Sequence, residues 1–468
     1  DPFEETAQCI YTHGAYSPMA KRIVIVGAGA AGASAAARAR RLDPEAEVTL
    51  IDKGPFISHA PCGIPYFIGG VVKEAQELAI YSPEEFARER RINVKVNAEA
   101  FDIDVKNQVL LVREGGVVVK YPWDVLVIAT GAKPITLPVE GSELGGILTL
   151  RLPHEAPRLR EEVERASTVA VVGGGYIGLE VAEALRSLGK RVLLFEMMPH
   201  VLPTTFDEDM AKLIHDELTR NGVELHLGEK VIGFRGVNGH VNKVITERGE
   251  YIVDKVIMGV GVRPDTELAE RAGVKLGETR AVWVNEYMET SVPNIYAAGD
   301  VAETWSLITG RRIYVALAPP ANKMGQVAGA NAVKGRFLKF PGVLGTAVTK
   351  VFNLYVARTG LTERQARDWG FKPVSATIKA RTTAHYYPGG VQVNVKMIAD
   401  EPSGRVLGVQ VVGADKITAG YIDTAAALIG KGATIDDFFF SDLSYAPPTA
   451  PVWHPLITAA RVLSKGRY

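Results

Sequence analysis

The feature that most restricts the fold of this chain is a strand, glycine turn, helix and strand unit that occurs twice. The first copy begins at "KRIVIVGAGAAGASAAARARRL" and places Gly27, Gly29 and Gly32 between an apolar strand and an alanine-rich helix. Its second strand, "EVTLID", ends at Asp52, 25 residues after Gly27. Glycines at this spacing allow a sharp turn and a close approach of backbone to a pyrophosphate, and the acid can bind a ribose diol. The unit therefore predicts a dinucleotide-binding fold.

The second copy is "TVAVVGGGYIGLEVAEALRSLGKRVLLFE", with Gly173, Gly175 and Gly178 in its turn. Its last strand ends at Glu196, 23 residues after Gly173. Two such units in one chain predict that two dinucleotides meet, so that a hydride passes from a nicotinamide to a flavin.

The choice between NADH and NADPH stays open in the sequence. A glutamate at position 196 favours a ribose with a free 2′-hydroxyl, and hence NADH. Arg191 and His200 are close to it in sequence and could help to hold a 2′-phosphate.

Two further strand ends indicate which unit holds the flavin. "YPWDVLVIATGAKP" ends a buried strand at Ala129, Thr130 and Gly131, and "VPNIYAAGDVAE" ends another at Gly299 and Asp300. This layout, over residues 20–468, resembles that of the flavoprotein disulfide reductases with two dinucleotide-binding domains. The resemblance implies an α/β fold with two Rossmann-like domains and a C-terminal α+β dimerisation domain. It also implies that the first unit holds FAD, that the second holds NADH or NADPH, and that Asp300 hydrogen-bonds the ribitol.

The resemblance implies domain bounds and site residues. The FAD domain is expected to be discontinuous, at 19–140 and 272–340, around an NAD(P)H domain at 141–271 and before a dimerisation domain at 341–468. Residues 1–18, which include Cys9, are expected to be a non-native or disordered extension before a natural start at Met19. The expected FAD residues are Gly27, Ala28, Gly29, Ala31, Gly32, Asp52, Lys53, Ser58, Cys62, Ala129, Thr130, Gly131, Gly299, Asp300, Ala316, Leu317 and Ala318. The expected NAD(P)H residues are Gly173, Gly175, Tyr176, Ile177, Gly178, Glu180, Glu196 and Gly261.

The last third of the chain has no glycine motif. "VQVNVKMIADEPSGRVLGVQVVG" alternates apolar and polar residues up to a Pro-Ser-Gly turn, which predicts an antiparallel hairpin with one buried face. "KITAGYIDTAAALIGKG" predicts an amphipathic helix after it.

Composition excludes several classes of protein. Lys and Arg together number 53 and balance 53 Asp and Glu, which argues against a nucleic-acid partner. No run of about 18 apolar residues exists, so no membrane span is predicted. Two cysteines in 468 residues cannot form a disulfide framework, which suits a reducing cytoplasm.

The chemistry of the chain is predicted to centre on Cys62 in the loop "SHAPCGIPY". Pro61 and Pro65 stiffen this loop. The C-x4-C pair that most relatives carry is absent, since Ser58 lies four residues before Cys62 and Phe67 lies five after it. A single cysteine against a flavin could form a mixed disulfide with a small thiol, or cycle through a sulfenic acid. His59 is a further candidate, as a group that supports the thiolate.

Three motifs narrow the resemblance to the single-cysteine branch that contains coenzyme A disulfide reductases, NADH oxidases and polysulfide or sulfur reductases. They are "SHAPCGIPYFIGG", "AHYYPGG" and "DLSYAPPTAPVWHP". His454, in the last motif, departs from the aspartate expected there. The resemblance implies that Arg38, Arg41 and Ser58 contact coenzyme A.

The same resemblance implies a homodimer in which each subunit completes the partner's site. Tyr445, and either Tyr386 or Tyr387, match tyrosines that reach the partner's cysteine, where a phenol can donate a proton to a thiolate. The predicted function is FAD-dependent reduction of coenzyme A disulfide, polysulfide or sulfur by NAD(P)H through Cys62. The alternatives are an NADH oxidase, and a flavoprotein electron carrier or redox sensor that acts through a protein contact.

Overall fold

The computed structural model describes residues 20–465, so the predictions for residues 1–18, Cys9 and Met19 lie outside the described residues. The first glycine motif joins the strand Arg22–Val26 to the helix Ala30–Leu42 at the centre of a five-stranded parallel sheet. Its central strands are almost wholly apolar because both faces of the sheet are covered. The order across this sheet is Ile295–Ala297, Val125–Ile128, Arg22–Val26, Glu47–Ile51 and Asn93–Lys95.

The second glycine motif builds a sheet on the same plan, which confirms the predicted α/β fold with two Rossmann-like units. The motif joins the strand Thr168–Val172 to the helix Tyr176–Ser187. The order across this parallel sheet is Ile147–Thr149, Lys255–Met258, Thr168–Val172, Arg191–Glu196 and Val223–Leu227.

Each unit also carries a three-stranded antiparallel meander. The first meander comprises Ala98–Asp104, Val109–Glu114 and Val117–Pro122, and the second comprises Val231–Val237, His240–Thr246 and Gly249–Ile252. The remaining elements before residue 317 are the strand pairs Ile57–His59 with Ala79–Tyr81 and Thr304–Trp305 with Arg312–Ile313, the helices Ile64–Ile68, Pro83–Arg90, Ala156–Glu164, Glu208–Arg220 and Glu267–Arg271, and the 3₁₀ turns Pro61–Gly63, Ala75–Leu78 and Pro153–Glu155.

The two segments that connect the units pair with each other. Ala132–Pro134, where the chain leaves the first unit, and Val262–Pro264, where it leaves the second, form a short antiparallel ladder. The chain then returns to the first sheet as its edge strand, and the helix Ala318–Lys334 packs on the helix Ala30–Leu42. Two glycines allow this close packing. A Cβ on Gly325 would lie 2.2 Å from the carbonyl oxygen of Ala31, and one on Gly329 would lie 2.3 Å from that of Ala35.

The C-terminal part is a five-stranded antiparallel sheet with helices against it. The order is Ala347–Val351, Leu354–Gly360, Val406–Gly413, Gln392–Asp400 and Pro373–Arg381. The helices are Glu363–Asp368, Ile417–Ile429, Ile435–Phe439 and Pro455–Leu463. The predicted hairpin and the predicted helix after it are both present.

The prediction of a single buried face on that hairpin is wrong. Asn394 and Lys396, on the face expected to be exposed, are buried. The Nζ of Lys396 lies 2.8 Å from a carboxylate oxygen of Asp209 and 3.6 Å from one of Asp207, both from the helix start at Glu208–Arg220, and 3.1 Å from one of Glu363. The polar face is therefore an ionic contact with the second unit instead of a solvated surface.

Within residues 20–465, no helix is long and apolar enough to cross a lipid bilayer.

Candidate active site

The two glycine turns share one geometry. Gly27 and Gly173 have φ of +99° and +108°, and a Cβ on them would lie 2.0 Å and 2.4 Å from the carbonyl oxygens of Ala129 and Gly259. Only glycine fits at these positions, because both the left-handed backbone and the neighbouring strand exclude a side chain. The third glycines, Gly32 and Gly178, touch the carbonyl oxygens of Gly27 and Gly173 in the same way, so they serve helix packing.

The two predicted acids are held in matching positions. The Oδ2 and Oδ1 of Asp52 accept the N–H groups of Ala28 and Gly54, each at 2.7 Å. In the second unit, the Oε2 and Oε1 of Glu196 accept the N–H groups of Gly174 and Met198, each at 2.8 Å. Each carboxylate is thus fixed at the mouth of its glycine turn.

A cavity of about 720 Å³ opens beside the first turn and brings most of the predicted FAD residues together. Those that line it are Gly27, Gly29, Ala31, Asp52, Lys53, Ser58, Cys62, Ala129, Thr130, Gly131, Asp300, Ala316, Leu317 and Ala318. Ala28, Gly32 and Gly299 are not among the lining residues. They lie behind the wall, where the backbone of Ala28 holds Asp52 and where a Cβ on Gly299 would lie 2.7 Å from the Cβ of Ala31.

The wall of this cavity fits a large polar cofactor. A Cβ on Gly29 would meet only the ring of His59, at 4.0 Å, so the start of the helix is open for a close ligand. The Nδ1 atom of His59 is buried and has no hydrogen-bond partner among the described residues. An orphaned polar atom on a cavity wall is expected to be satisfied by whatever fills the cavity. These features fit a dinucleotide such as FAD.

Arg151 is a site residue that the sequence did not predict. Its Nη2 lies 2.9 Å from the Oδ2 of Asp300, and both side chains line the cavity. Tyr314 donates its hydroxyl to the backbone oxygen of Asp300 at 2.8 Å. Arg151 belongs to no motif and lies 149 residues from Asp300 in the chain, so no local pattern could have identified the pair.

The cysteine loop is shaped by one strained residue and one tight contact. Ser58 has φ of +46°, and its N–H donates to the oxygen of Ala28 at 2.7 Å. Cys62 is the middle residue of the 3₁₀ turn Pro61–Gly63, and its free thiol is exposed to the cavity. Gly63 points the other way, since a Cβ there would lie 2.3 Å from the Cδ2 of Leu78. Gly63 therefore makes room for Leu78.

The surroundings of the thiol favour its protonated form, and burial is the largest cause. Burial among the surrounding residues raises the pKa of Cys62, the negative charge of Glu180 raises it further, and Arg151 opposes both. Burial lowers the pKa of His59, which favours its neutral form. Arg151, and not His59, is therefore the cation that lowers the pKa of this thiol.

The second unit meets the cysteine loop through the helix Tyr176–Ser187. Glu180 on this helix accepts the Thr349 hydroxyl at 2.6 Å, and burial raises its pKa. The Tyr176 hydroxyl is buried and has no hydrogen-bond partner among the described residues. Burial also raises the pKa of Tyr66, four residues after Cys62, to about 12.

The predicted NAD(P)H residues cluster at the second glycine turn. Gly173, Gly175, Tyr176, Ile177, Gly178 and Glu180 lie in the turn or the first part of its helix, Glu196 ends the next strand, and Gly261, with φ of +102°, follows the strand Lys255–Met258. Arg191 does not join them. Arg191 begins the strand Arg191–Glu196, so its backbone lies about 16 Å from that of Glu196 at the usual rise per residue. Its guanidinium donates to Glu224 at 2.7 Å. His200 is half-buried, with its Nδ1 at 2.9 Å from the oxygen of Val201.

The predicted tyrosines lie together on the surface of the C-terminal domain. The hydroxyls of Tyr386 and Tyr445 are 3.2 Å apart, and both side chains are exposed. Their loops are tied by the N–H of Ala384, which donates to the oxygen of Pro447 at 3.0 Å. No hydrogen bond of the Tyr387 hydroxyl is found among the described residues. The structure thus pairs Tyr386, and not Tyr387, with Tyr445.

Arg38 and Arg41 lie on the helix Ala30–Leu42 but do not line the cavity. Arg41 donates to the Oε1 of Gln326 at 3.0 Å, and Arg38 is half-buried. Arg40 has a different task, because its guanidinium donates to the carbonyl oxygens of Asp43, Pro44, Ala46 and Arg91. Arg40 therefore fixes the end of the helix, and Arg38 and Arg41 remain available for other contacts.

His454 replaces the expected aspartate as a helix cap. Its Nδ1 accepts the N–H of Leu456 at 3.2 Å at the start of the helix Pro455–Leu463, as an aspartate oxygen would. Its ring packs edge-on against Tyr421 at 4.7 Å, and burial lowers the pKa of His454 to about 4. The cap works because the neutral ring keeps one nitrogen free to accept.

Comparison with known proteins places most of the described chain in one family. Residues 21–325 match the family described as pyridine nucleotide-disulphide oxidoreductase, and residues 346–456 match the dimerisation domain of the same family.

Individual relatives match along almost the full length. The chain is 47% identical to an NAD(P)H coenzyme A polysulfide/persulfide reductase of Pyrococcus horikoshii, over 95% of this chain and 99% of that protein. It is 38% identical to an NADH oxidase of Methanocaldococcus jannaschii, over 94% of this chain and 98% of that one. Among solved structures, an NAD-dependent persulfide reductase from A. fulgidus matches with a TM-score of 0.92 and 38% identity, over 95% of this chain and 83% of that chain.

Proposed function

Because this chain belongs to the pyridine nucleotide-disulphide oxidoreductase family, we propose that it is an FAD-dependent NAD(P)H oxidoreductase that reduces coenzyme A disulfide, polysulfide or sulfur through Cys62. The observation that carries the proposal is one free thiol that opens on the same cavity as the first glycine turn and Asp300. The name of the Pyrococcus relative supports this choice of substrates. A free thiol in this role suits a reducing compartment such as the cytoplasm.

In this proposal the domain of residues 19–140 and 272–340 holds FAD, and the domain of residues 141–271 holds NADH or NADPH. Bound FAD would supply the two-electron link between the nicotinamide and sulfur. Asp52 would bind its adenosine ribose, the open helix start at Gly29 its pyrophosphate, and Asp300 with Arg151 its ribitol side. Glu196 would bind the ribose of the nicotinamide dinucleotide.

The sulfur chemistry follows from a single cysteine. The Cys62 thiolate attacks one sulfur of a substrate disulfide, so that a new S–S bond forms, the substrate bond breaks and one thiolate leaves. Two electrons then cleave the mixed disulfide, which returns Cys62 as a thiolate and releases the second substrate sulfur as a thiolate. Each thiolate that leaves takes up one proton. The substrate supplies the second sulfur that related dithiol reductases keep in the chain.

We place the proton donors on the partner subunit. Tyr386 and Tyr445 are exposed on the dimerisation domain, which also exposes the apolar side chains of Val452 and Trp453. An exposed aromatic group of this kind is typical of a protein interface. In a homodimer this face would carry the two phenols to the partner subunit, where one O–H can protonate the thiolate that leaves.

Coenzyme A would bind along the helix Ala30–Leu42. Its phosphates need cations, and Arg38 and Arg41 share one face of this helix. Arg40, which fixes the helix end, points to a different face. Ser58, which lies in the cysteine loop and on the cavity wall, would contact the pantetheine arm.

A second candidate function is an NADH oxidase, which the Methanocaldococcus relative favours. The same thiol would then cycle through a sulfenic acid with oxygen as acceptor. A third is an electron carrier or redox sensor, which predicts slow turnover with every small acceptor.

Steady-state rates with coenzyme A disulfide, polysulfide and oxygen at equal NADH concentration test the proposal. We expect both sulfur substrates to outpace oxygen, and a thiol-releasable adduct of coenzyme A mass on Cys62 of the denatured enzyme. In Cys62→Ser, FAD should stay bound and NADH should still bleach it, while reduction of sulfur substrates collapses. Appreciable turnover with oxygen alone, or sulfur reduction that survives in Cys62→Ser, contradicts the proposal.

A further inference from the structure

The turn that carries Glu196 is clamped from behind by a second loop. The N–H of Glu229 donates to the backbone oxygen of Glu196 at 3.0 Å, and the N–H of Gly228 donates to that of Met198 at 2.9 Å. Met197, between the two clamped carbonyls, is 63% exposed. The backbone of the turn is therefore fixed on both sides of Met197, which faces solvent.

The clamp is itself held by a buried carboxylate. Glu229 is 3% exposed, and its Oε1 accepts the hydroxyls of Thr246 at 2.6 Å and of Tyr251 at 2.7 Å. Its Oε2 lies 3.0 Å from the Nδ1 of His226 and 3.8 Å from Arg248. Burial alone would raise the pKa of Glu229, but the hydrogen bonds from Thr246, Tyr251 and His226 lower it below its ordinary value.

Aromatic packing extends this anchor to the strand that ends at Glu196. His226 stacks on Phe195 with ring centres 4.6 Å apart and planes 19° apart, and Tyr251 meets the same ring edge-on at 5.1 Å. Two of the groups that hold Glu229 thus also hold the residue directly before Glu196. Glu229 does not line the cavity that holds Cys62, so the sulfur chemistry gives this buried acid no role.

We propose that Glu229 is a positioning residue for nucleotide binding: it fixes the turn from which Glu196 reaches the ribose of NAD(P)H. The proposal rests on the proposed function, because it assumes that Glu196 binds that ribose. Hydrogen bonds to a ribose diol need both of its hydroxyls within about 3 Å of one carboxylate, so a turn that moves weakens them. Glu229 acts through backbone geometry and does not touch the nucleotide.

The test is a double-mutant cycle of Glu229→Ala with Glu196→Ala, read as the calorimetric Kd for NAD⁺ and the KM for NADH. Glu229→Ala alone should raise both by about threefold to tenfold and leave kcat and FAD absorbance near wild type. In the Glu196→Ala background the same change should add less than about 1.5-fold, because the group it positions is gone. Glu250→Ala is the matched control, since Glu250 pairs with Arg235 and Lys243 on the outside of the same meander.

Additive effects in the two backgrounds, or an unchanged Kd in Glu229→Ala, overturn the inference. If Glu229→Ala does not fold, Thr246→Val and Tyr251→Phe each remove one donor to Glu229, and the same non-additivity with Glu196→Ala is expected. A Kd unchanged in Glu196→Ala itself would refute the assignment of the nucleotide to Glu196, and the inference with it. An effect of Glu196→Ala without one of Glu229→Ala would refute the inference alone.

Discussion

The hydroxyl oxygens of Tyr386 and Tyr445 lie 3.2 Å apart, although the residues are 59 positions apart in the chain. One phenol donates to the other, and this hydrogen bond raises the pKa of Tyr445. Tyr445 therefore stays protonated at neutral pH, and one O–H of the pair remains free to donate outward. That is the property required of a group that protonates a thiolate.

We expect Tyr445→Phe and Tyr386→Phe each to lower turnover with coenzyme A disulfide by about tenfold or more, with the dimer intact. Tyr387→Phe is the matched control and should stay near wild type, because Tyr387 is outside the pair. Initial rates and sedimentation of the three variants check this prediction.

Mixed dimers test whether the phenols act across the interface. A Tyr445→Phe subunit paired with a Cys62→Ser subunit should regain partial activity, because one of its two sites has both residues intact. Mixed dimers that form but show no recovery would contradict the shared-site arrangement.

Removing the positive charge of Arg151 should weaken two functions of the cavity. In Arg151→Met, Asp300 loses its ion pair and the cation that lowers the pKa of Cys62 is gone. We expect faster loss of FAD on dialysis, and alkylation of Cys62 by iodoacetamide at pH 7 slower by roughly threefold or more. Arg165→Met, at an exposed pair with Glu161, should change neither quantity. Unaltered alkylation would show that the guanidinium does not act on the thiol.

Arg38 and Arg41 should matter only for a substrate with phosphates. The double change to Ala is expected to raise the KM for coenzyme A disulfide by about tenfold or more and to leave that for polysulfide unchanged. Arg88→Ala, at an exposed position of the helix Pro83–Arg90, is the control and should leave both KM values unchanged. Arg40→Ala should instead lower thermal stability, since it leaves the carbonyl groups at the helix end without their donor. Equal effects on both substrates would indicate a folding defect or a solvated face.

The cap formed by His454 gives a pH dependence with a definite sign. Its pKa is about 4 in the folded protein, below the value of about 6.5 in an unfolded chain. The unfolded state takes up the proton first, so this stabilising contribution is complete above pH 6.5 and is lost progressively as the pH falls towards 4. Between pH 7 and 5, the Tm of the wild type should fall by about 2 °C or more beyond that of His454→Asn, which caps without titrating. Parallel Tm curves would contradict the assignment.

The features that were predictable from the sequence are those in which chemistry requires particular residues at short spacing. Binding of a pyrophosphate needs Gly27 and Gly29 two residues apart, and the acid that binds the ribose must follow the next strand. Both dinucleotide-binding units could therefore be predicted from the sequence. Arg151 was not, because its partner Asp300 comes from the return strand after the whole second unit. The burial of Lys396 was predicted wrongly for a related reason. Strand alternation indicates which side chains share a face, but only the docking of Asp207 and Asp209 makes that face an interior one.

The paired hydrogen bonds of Glu196 set a condition on any redesign of this protein for NADPH. A change that admits a 2′-phosphate must remove a carboxylate that also accepts the N–H groups of Gly174 and Met198. Each amide left unpaired costs about 1–3 kcal/mol of folding free energy. Cofactor choice and thermal resistance are thus coupled traits at this position, and a designer would need to supply a neutral acceptor there together with the new cation.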